Sequence, residues 1–295
     1  MQQYICCFTG PIGVGKSTMF NKTYEYLNDE SITVHPVYEY IDGEKRTSGS
    51  LSGKAANKTD GERMLSLYLN GELTDSVFQN YIQNYYINIS HKMKDKKGVI
   101  LMERSMSDSV AIFCNLANQS LNKYGHQKLS DGEIAEMYKN CIYYDKIADF
   151  PNFFIKNYKL SIIMTTTVDE TFEAIRDIIN DDLANNVSKR VIALVASPRV
   201  CYKRVCQRAR EGESAYSMEY MKHHCNMYMR LFRLMADPSY ERIRLLDLGY
   251  LTHTRTNKMH ILYPGKSDIP DWDTIFETDW TSTDAYKEYA RTHDV

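Results

Sequence analysis

Tyr4-Ile5-Cys6-Cys7-Phe8-Thr9-Gly10-Pro11-Ile12-Gly13-Val14-Gly15-Lys16-Ser17-Thr18 is the stretch that decides the fold. Its first six residues form a short apolar run, the pattern of a buried strand. Gly10 to Ser17 then follow the Gly-x-x-x-x-Gly-Lys-Ser spacing of a phosphate-binding loop. Beyond the loop, Phe20, Tyr24 and Leu27 recur at helical spacing, so the motif has the strand before it and the helix after it that its chemistry needs. The glycines let the backbone curl until several N–H groups face one phosphate, and the helix N-terminus adds partial positive charge behind them. Lys16 is placed to reach the β- and γ-phosphates, and the Ser17 hydroxyl to ligate Mg²⁺. The expected ATP contacts are Gly10, Pro11, Ile12, Gly13, Val14, Gly15, Lys16, Ser17 and Thr18.

Composition narrows the class. A chain of 295 residues with 43% apolar residues can bury a sizeable core. The net charge of −2 gives no global attraction to nucleic acid or to an anionic membrane. No stretch reaches the ~18 apolar residues of a membrane span, and the first strand begins too early for a secretory signal. Seven scattered cysteines, with no Cys-x-x-Cys, point to a reducing compartment, read as the cytoplasm, and away from structural zinc. His223-His224-Cys225 is a local cluster, but adjacent helical residues point apart and make a poor metal site.

Strand-like runs alternate with helical patterns, which predicts an α/β fold with a central parallel sheet flanked by helices. The second strand is expected at Thr33–Tyr38, followed by a glycine-rich polar loop from Asp42 to Asp60. Met64–Leu69 and Val77–Met93 read as helices. Val99-Ile100-Leu101-Met102 reads as a buried strand ending in Glu103-Arg104-Ser105. Helices are expected at Met106–Leu116 and Asp131–Ala148. Leu160–Met164 and Val191–Val195 are apolar runs, and Phe172, Ile175, Ile178 and Ile179 mark an amphipathic helix between them. Val200–Arg210 and Met218–Met235 follow as helices. Arg244-Leu245-Leu246-Asp247 and Met259–Tyr263 are the last strand-like segments.

A second constellation sits beside the loop. Glu103 and Arg104 end a wholly apolar strand, and in open α/β sheets ligands bind at the carboxyl ends of strands. The second strand ends in Glu39, placed to accept a proton from an attacking hydroxyl. Arg204 and Arg208 share a helix face, and Arg210 follows them; over a triphosphate, such a group can act as a lid that spreads charge.

These groups together resemble the deoxyribonucleoside kinase family, which includes cellular enzymes and the herpesvirus thymidine kinases. The resemblance runs from Tyr4 to Asp247. It implies a P-loop kinase fold with a helical lid, in a single domain over residues 1–295. Interruptions fall near 44–60 and 150–188, and 250–295 stays unassigned. By resemblance, Glu39 activates the sugar 5′-hydroxyl, Arg104 lies near that hydroxyl, Glu103 faces Mg²⁺, and Arg204, Arg208 and Arg210 form the lid. Phe78-Gln79 matches the helix pair whose Gln reads the base edge. Tyr68 and Glu213 match the residues that hold the 3′-hydroxyl, and Phe113 the aromatic that stacks on the base. The family's Glu-Pro is here Glu39-Tyr40, and its following Trp is missing.

The base pocket carries a finer implication. Deoxycytidine kinases place an Arg seven residues after the Gln and pair it with an Asp. Here those positions are Tyr86 and Ser109, as in the herpesvirus thymidine kinases, with Ile82 and Phe113 as apolar walls. Resemblance thus implies a viral enzyme acting on thymidine, working in host cytoplasm or nucleus in deoxynucleoside salvage for DNA synthesis. Its partners would be a small deoxynucleoside, ATP with Mg²⁺ and a second copy in a homodimer, with no nucleic acid or membrane. Two rival readings fit less well. A thymidylate kinase needs a cation near Glu39 for the acceptor's own phosphate, and Tyr38 and Tyr40 flank it instead. A GTP switch is suggested by Asn57-Lys58-Thr59-Asp60, but that motif precedes the acid-ended strand, the reverse of the order a GTPase needs.

Overall fold

The computed structural model describes residues 3–41, 59–114, 132–133, 137, 158–165, 167–208, 216–236 and 259–262. Six parallel strands form one sheet: β1 (Tyr4–Thr9), β2 (Val34–Val37), β3 (Val99–Glu103), β4 (Lys159–Met164), β5 (Lys189–Val195) and β6 (Met259–Leu262), in the order β2-β3-β1-β5-β4-β6. The helices are α1 (Lys16–Asp29), α2 (Asp60–Leu69), α3 (Asp75–Met93), α4 (Val168–Ala184), α5 (Pro198–Arg208) and α6 (Met218–Ala236), with a short turn Met106–Asp108 running into a π-helical segment Ser109–Cys114. The predicted α/β fold with a parallel sheet is the one observed.

Parallel strands are covered on both faces, which is why they read as unbroken apolar runs rather than alternating ones. Every residue of β1, β3 and β5 is buried. β1 lies between β3 and β5, and the chain visits first one side of it and then the other. This makes the end of β1 the topological switch point, where a crevice opens at the carboxyl ends of the strands. The core below joins Phe8, Val14, Phe20 and Leu27 to Ile175, Ile179, Ile192 and Leu194, so α1 and α4 cover one face together.

Several boundaries differ from the sequence reading. α2 starts at Asp60 because Thr59 caps it: its Oγ1 accepts from Glu62 N at 3.0 Å, and the Glu62 carboxylate accepts from Thr59 N at 3.0 Å. This reciprocal capping box occupies the last half of the sequence that mimics a guanine-reading motif. α3 starts at Asp75, with Thr74 as its cap. The helix read at Met106–Leu116 is, over its described residues, a short helical turn Met106–Asp108 followed by a π-helical segment Ser109–Cys114. Residues 150–188, left without a counterpart by the family resemblance, are not a peripheral insertion where described. Lys159–Met164 pairs with β5, and Val168–Ala184 packs on α1, where the Tyr26 hydroxyl meets Asn180 Oδ1 at 2.9 Å. Pro36 sits in β2, whose one sheet neighbour among the described residues is β3. The readings at Asp42–Lys58, Asp131–Ala148 (apart from 132, 133 and 137) and Arg244–Asp247 lie outside the described residues.

Candidate active site

The loop after β1 closes on its own lysine. Lys16 Nζ donates to the carbonyls of Gly10 at 3.0 Å and Pro11 at 2.8 Å. Gly13 has φ of +79°, and a Cβ there would stand 2.4 Å from the Cys201 carbonyl oxygen, so the turn needs both glycine's left-handed backbone and its missing side chain. Burial and then the charge of Arg104 push Lys16 down to about 7, against the pull of Glu39, Glu103 and Asp108. A polyanion seated in the loop reverses that balance, because it supplies the opposite charge the buried ammonium lacks.

Glu103 ends β3 directly beside the loop. Its Oε1 accepts from the Ser17 hydroxyl at 2.6 Å, while its Oε2 is buried with no hydrogen-bond partner. Burial, then the neighbouring Glu39, raise its carboxyl above the usual range. An orphaned carboxylate oxygen next to a serine hydroxyl is a hard oxygen donor set of the kind Mg²⁺ takes.

Arg104 is the hub. Its backbone is left-handed, with φ of 66°, and its amide donates to the Phe8 carbonyl at 2.8 Å. Nη1 donates to the Gly10 carbonyl at 3.1 Å and to the Tyr228 hydroxyl. Nε lies 2.9 Å from Glu39 Oε1, an ion pair without an aligned hydrogen bond. The guanidinium carbon lies 5.2 Å from the Phe113 ring centre and 5.8 Å from that of Tyr228. Burial opposes its charge, yet Tyr228, Glu39 and Asp108 together hold it firmly protonated.

The expected nucleoside pocket lies along α3. Tyr68 stacks on Phe78 at 4.2 Å, and its hydroxyl donates to Asp75 Oδ1 at 2.6 Å. Tyr40, where the family has proline, packs edge-on against Phe78 and Tyr81. The Ser109 hydroxyl donates to Gln79 Oε1 at 2.6 Å. Ile82 and Tyr86 are buried on the same helix, and the Tyr86 hydroxyl points at the Glu103 carbonyl at 3.4 Å. On the donor side, Arg204 Nη1 donates to the Val14 carbonyl at 2.9 Å, while Arg208 is exposed at the end of α5. Arg210 and Glu213 lie outside the described residues.

The profile of the deoxynucleoside kinase family matches residues 6–139, the span that holds the loop, Glu39, Tyr68, Gln79, Glu103 and Arg104. Over residues 6–139, somewhat under half of the chain, the sequence is similar to the deoxynucleoside kinase family. Among solved structures, that of deoxyadenosine kinase from M. mycoides with bound dATP aligns over 84% of this chain and 100% of that chain, at 12% identity and a TM-score of 0.42. That likeness is too loose for any residue to be carried across. No curated protein matches the sequence. Among the described residues, no helix is long and apolar enough to cross a membrane.

Sequence reasoning missed three members of the site. Asp108 Oδ1 accepts from the Thr9 hydroxyl at 2.5 Å and from the Tyr228 hydroxyl at 2.9 Å, while its Oδ2 accepts from Ser105 N at 2.9 Å. The Ser105-x-x-Asp108 spacing is a capping signal that could have found it. Tyr228 is buried on α6, and burial pushes its phenol up, so it stays neutral. His224, read as part of a weak metal cluster, instead accepts the Ile12 N–H of the phosphate loop through Nε2 at 3.1 Å. Burial, then Arg104 and Lys16, hold its pKa well below the usual value. The described cysteines Cys6, Cys7, Cys201, Cys206 and Cys225 are all free thiols.

Proposed function

We propose that the chain transfers the γ-phosphoryl group of ATP to the 5′-hydroxyl of a deoxynucleoside, with thymidine preferred. The observation that carries the reading is the meeting of Glu39, Arg104 and the Gly10 carbonyl at the switch point. It brings a carboxylate base and a fixed cation to the mouth of a triphosphate loop. Lys16 and the loop amides hold the donor phosphates. Ser17 and Glu103 would hold Mg²⁺, which supplies charge neutralisation across the phosphates. Glu39 accepts the proton of the 5′-hydroxyl. Arg104 offsets the charge that develops on the transferred group, with Arg204, Arg208 and Arg210 closing from the lid side. Tyr68 and Glu213 receive the 3′-hydroxyl, and Phe78 and Phe113 the faces of the base.

The base preference follows from hydrogen-bond capacity. With its Oε1 already accepting from Ser109, Gln79 has its amide N–H₂ to offer to a ring carbonyl, as thymine O4 provides. Cytosine presents an amino group there instead. Tyr86 narrows the pocket against purines, and Ile82 gives a 5-methyl group an apolar wall. A homodimer of a viral-type thymidine kinase is part of the same proposal.

The test compares kcat/KM for thymidine, deoxycytidine, deoxyadenosine, deoxyguanosine and thymidine monophosphate, in the native chain and in Tyr86→Ala. Thymidine is expected to lead, with deoxycytidine second, and purines should gain in Tyr86→Ala. A purine leading in the native chain refutes the pocket assignment. Transfer to the monophosphate alone would replace the proposed acceptor with a nucleotide.

A further inference from the structure

Arg104 is held from two opposite sides. Glu39 faces its Nε, and Tyr228 receives its Nη1. Behind Tyr228 stands Asp108, whose carboxylate collects Thr9 from the end of β1, Ser105 from the exit of β3 and Tyr228 from α6. The Tyr228 hydroxyl donates to Asp108 and accepts from Arg104 in one chain of hydrogen bonds, and each bond in such a chain polarises the next. Asp108 Oδ1 itself is 3.8 Å from Arg104 Nη1, so the phenol, not the carboxylate, makes the short contact. All three side chains are buried.

We propose that Asp108 and Tyr228 are positioning residues, a relay that anchors Arg104 over the phosphate loop and stops it from closing a directed hydrogen bond onto Glu39. The inference rests on the kinase reading above. A released Arg104 would swing to its other anion and form the aligned, charge-assisted pair that arginine and carboxylates favour. That pair would tie up the proton acceptor and withdraw the cation from the transferring phosphoryl group. The left-handed backbone at Arg104 points the same way: a strained non-glycine conformation persists where its surroundings over-determine it. Neither Asp108 nor Tyr228 needs to touch substrate for this role.

The experiment measures kcat, both KM values and thermal stability for Tyr228→Phe, Asp108→Asn and Arg104→Lys, and for the Tyr228→Phe/Arg104→Lys double variant. Tyr228→Phe and Asp108→Asn should each lower kcat by roughly 10- to 100-fold with KM for ATP and nucleoside within about threefold of native, the mark of an interaction used in the transition state. In the Arg104→Lys background, Tyr228→Phe should cost less than about twofold more, because both act through one guanidinium. A folded Tyr228→Phe with native kcat overturns the relay, as do losses that multiply in the double variant. If Tyr228→Phe fails to fold, Asp108→Asn decides alone: a native kcat there overturns the proposal, and the kcat-specific loss supports it. Glu39→Gln run in parallel separates the two layers, since native turnover there removes the underlying kinase reading itself.

Discussion

The two ends of the sheet each bury an arginine, an aspartate and a tyrosine, and they treat them differently. At the amino ends of the strands, Arg190 makes a two-pronged contact with Asp182, at 2.6 Å through Nε and 2.5 Å through Nη2. Its Nη1 donates to Ser161 at 3.0 Å, and Tyr4 completes Asp182 at 2.9 Å. No side-chain atom of this group lacks a partner. At the carboxyl ends, Arg104 has an unaligned Nε, Glu103 an orphaned Oε2 and His224 an orphaned Nδ1. An unmade hydrogen bond in the interior is expensive, and three of these atoms lie close together at the carboxyl ends. The two ends thus differ in how completely their buried polar groups are paired, and the proposed site uses the less complete one.

The sharpest way to break this comparison is at the open end. Lys16→Ala should abolish measurable transfer, and Glu39→Gln should lower kcat by ~10²–10⁴-fold with equilibrium binding of ATP and nucleoside nearly intact. Native turnover of Glu39→Gln in a steady-state assay would make that carboxylate a bystander. The closed end should answer in stability instead. Asp182→Ala leaves Arg190 charged and unpaired in the interior, and should cost about 3–5 kcal/mol in denaturant unfolding while kcat/KM per folded molecule is kept. Loss of turnover without loss of stability at Asp182 would erase the distinction between the two ends.

The smallest effect concerns His224 and pH. Its folded pKa lies well below the ordinary histidine value of about 6.5, so below that pH the unfolded chain binds the extra proton. Stability from this group is therefore complete above pH 6.5 and falls as the solution is acidified toward the folded pKa, by up to about 1.4 kcal/mol per pH unit. His224→Gln, which keeps an acceptor for Ile12 N–H, should flatten the acid slope of unfolding free energy between pH 6.5 and 5. An unchanged slope would mean that other groups govern it.

Much of the fold was legible because parallel strands, buried on both sides, announce themselves as apolar runs. The phosphate loop and Glu103 were legible because their chemistry fixes local spacing. Tyr228 was not: it is one of 23 tyrosines, and its contact with Asp108 spans 120 residues of sequence. His224 meets Ile12 across 212 residues, and no local pattern reports such a contact. The periodicity of β4 and α4 was visible, but their membership of the sheet depends on pairing with β5, which composition does not encode.

Pro36 has a consequence for how copies of this chain can meet. Val99 N–H donates to the Thr33 carbonyl, so the alternation of a parallel ladder turns residues 33, 35 and 37 toward β3 and residues 34 and 36 outward. The outward rim of β2 is thus left with Val34 as a donor, while Pro36 offers none and thrusts a ring into the path of an arriving strand. Proline on a short edge is a barrier to strand addition. Among the described residues this edge therefore resists sheet extension, and a second copy of the chain finds no complete backbone ladder to join on this side.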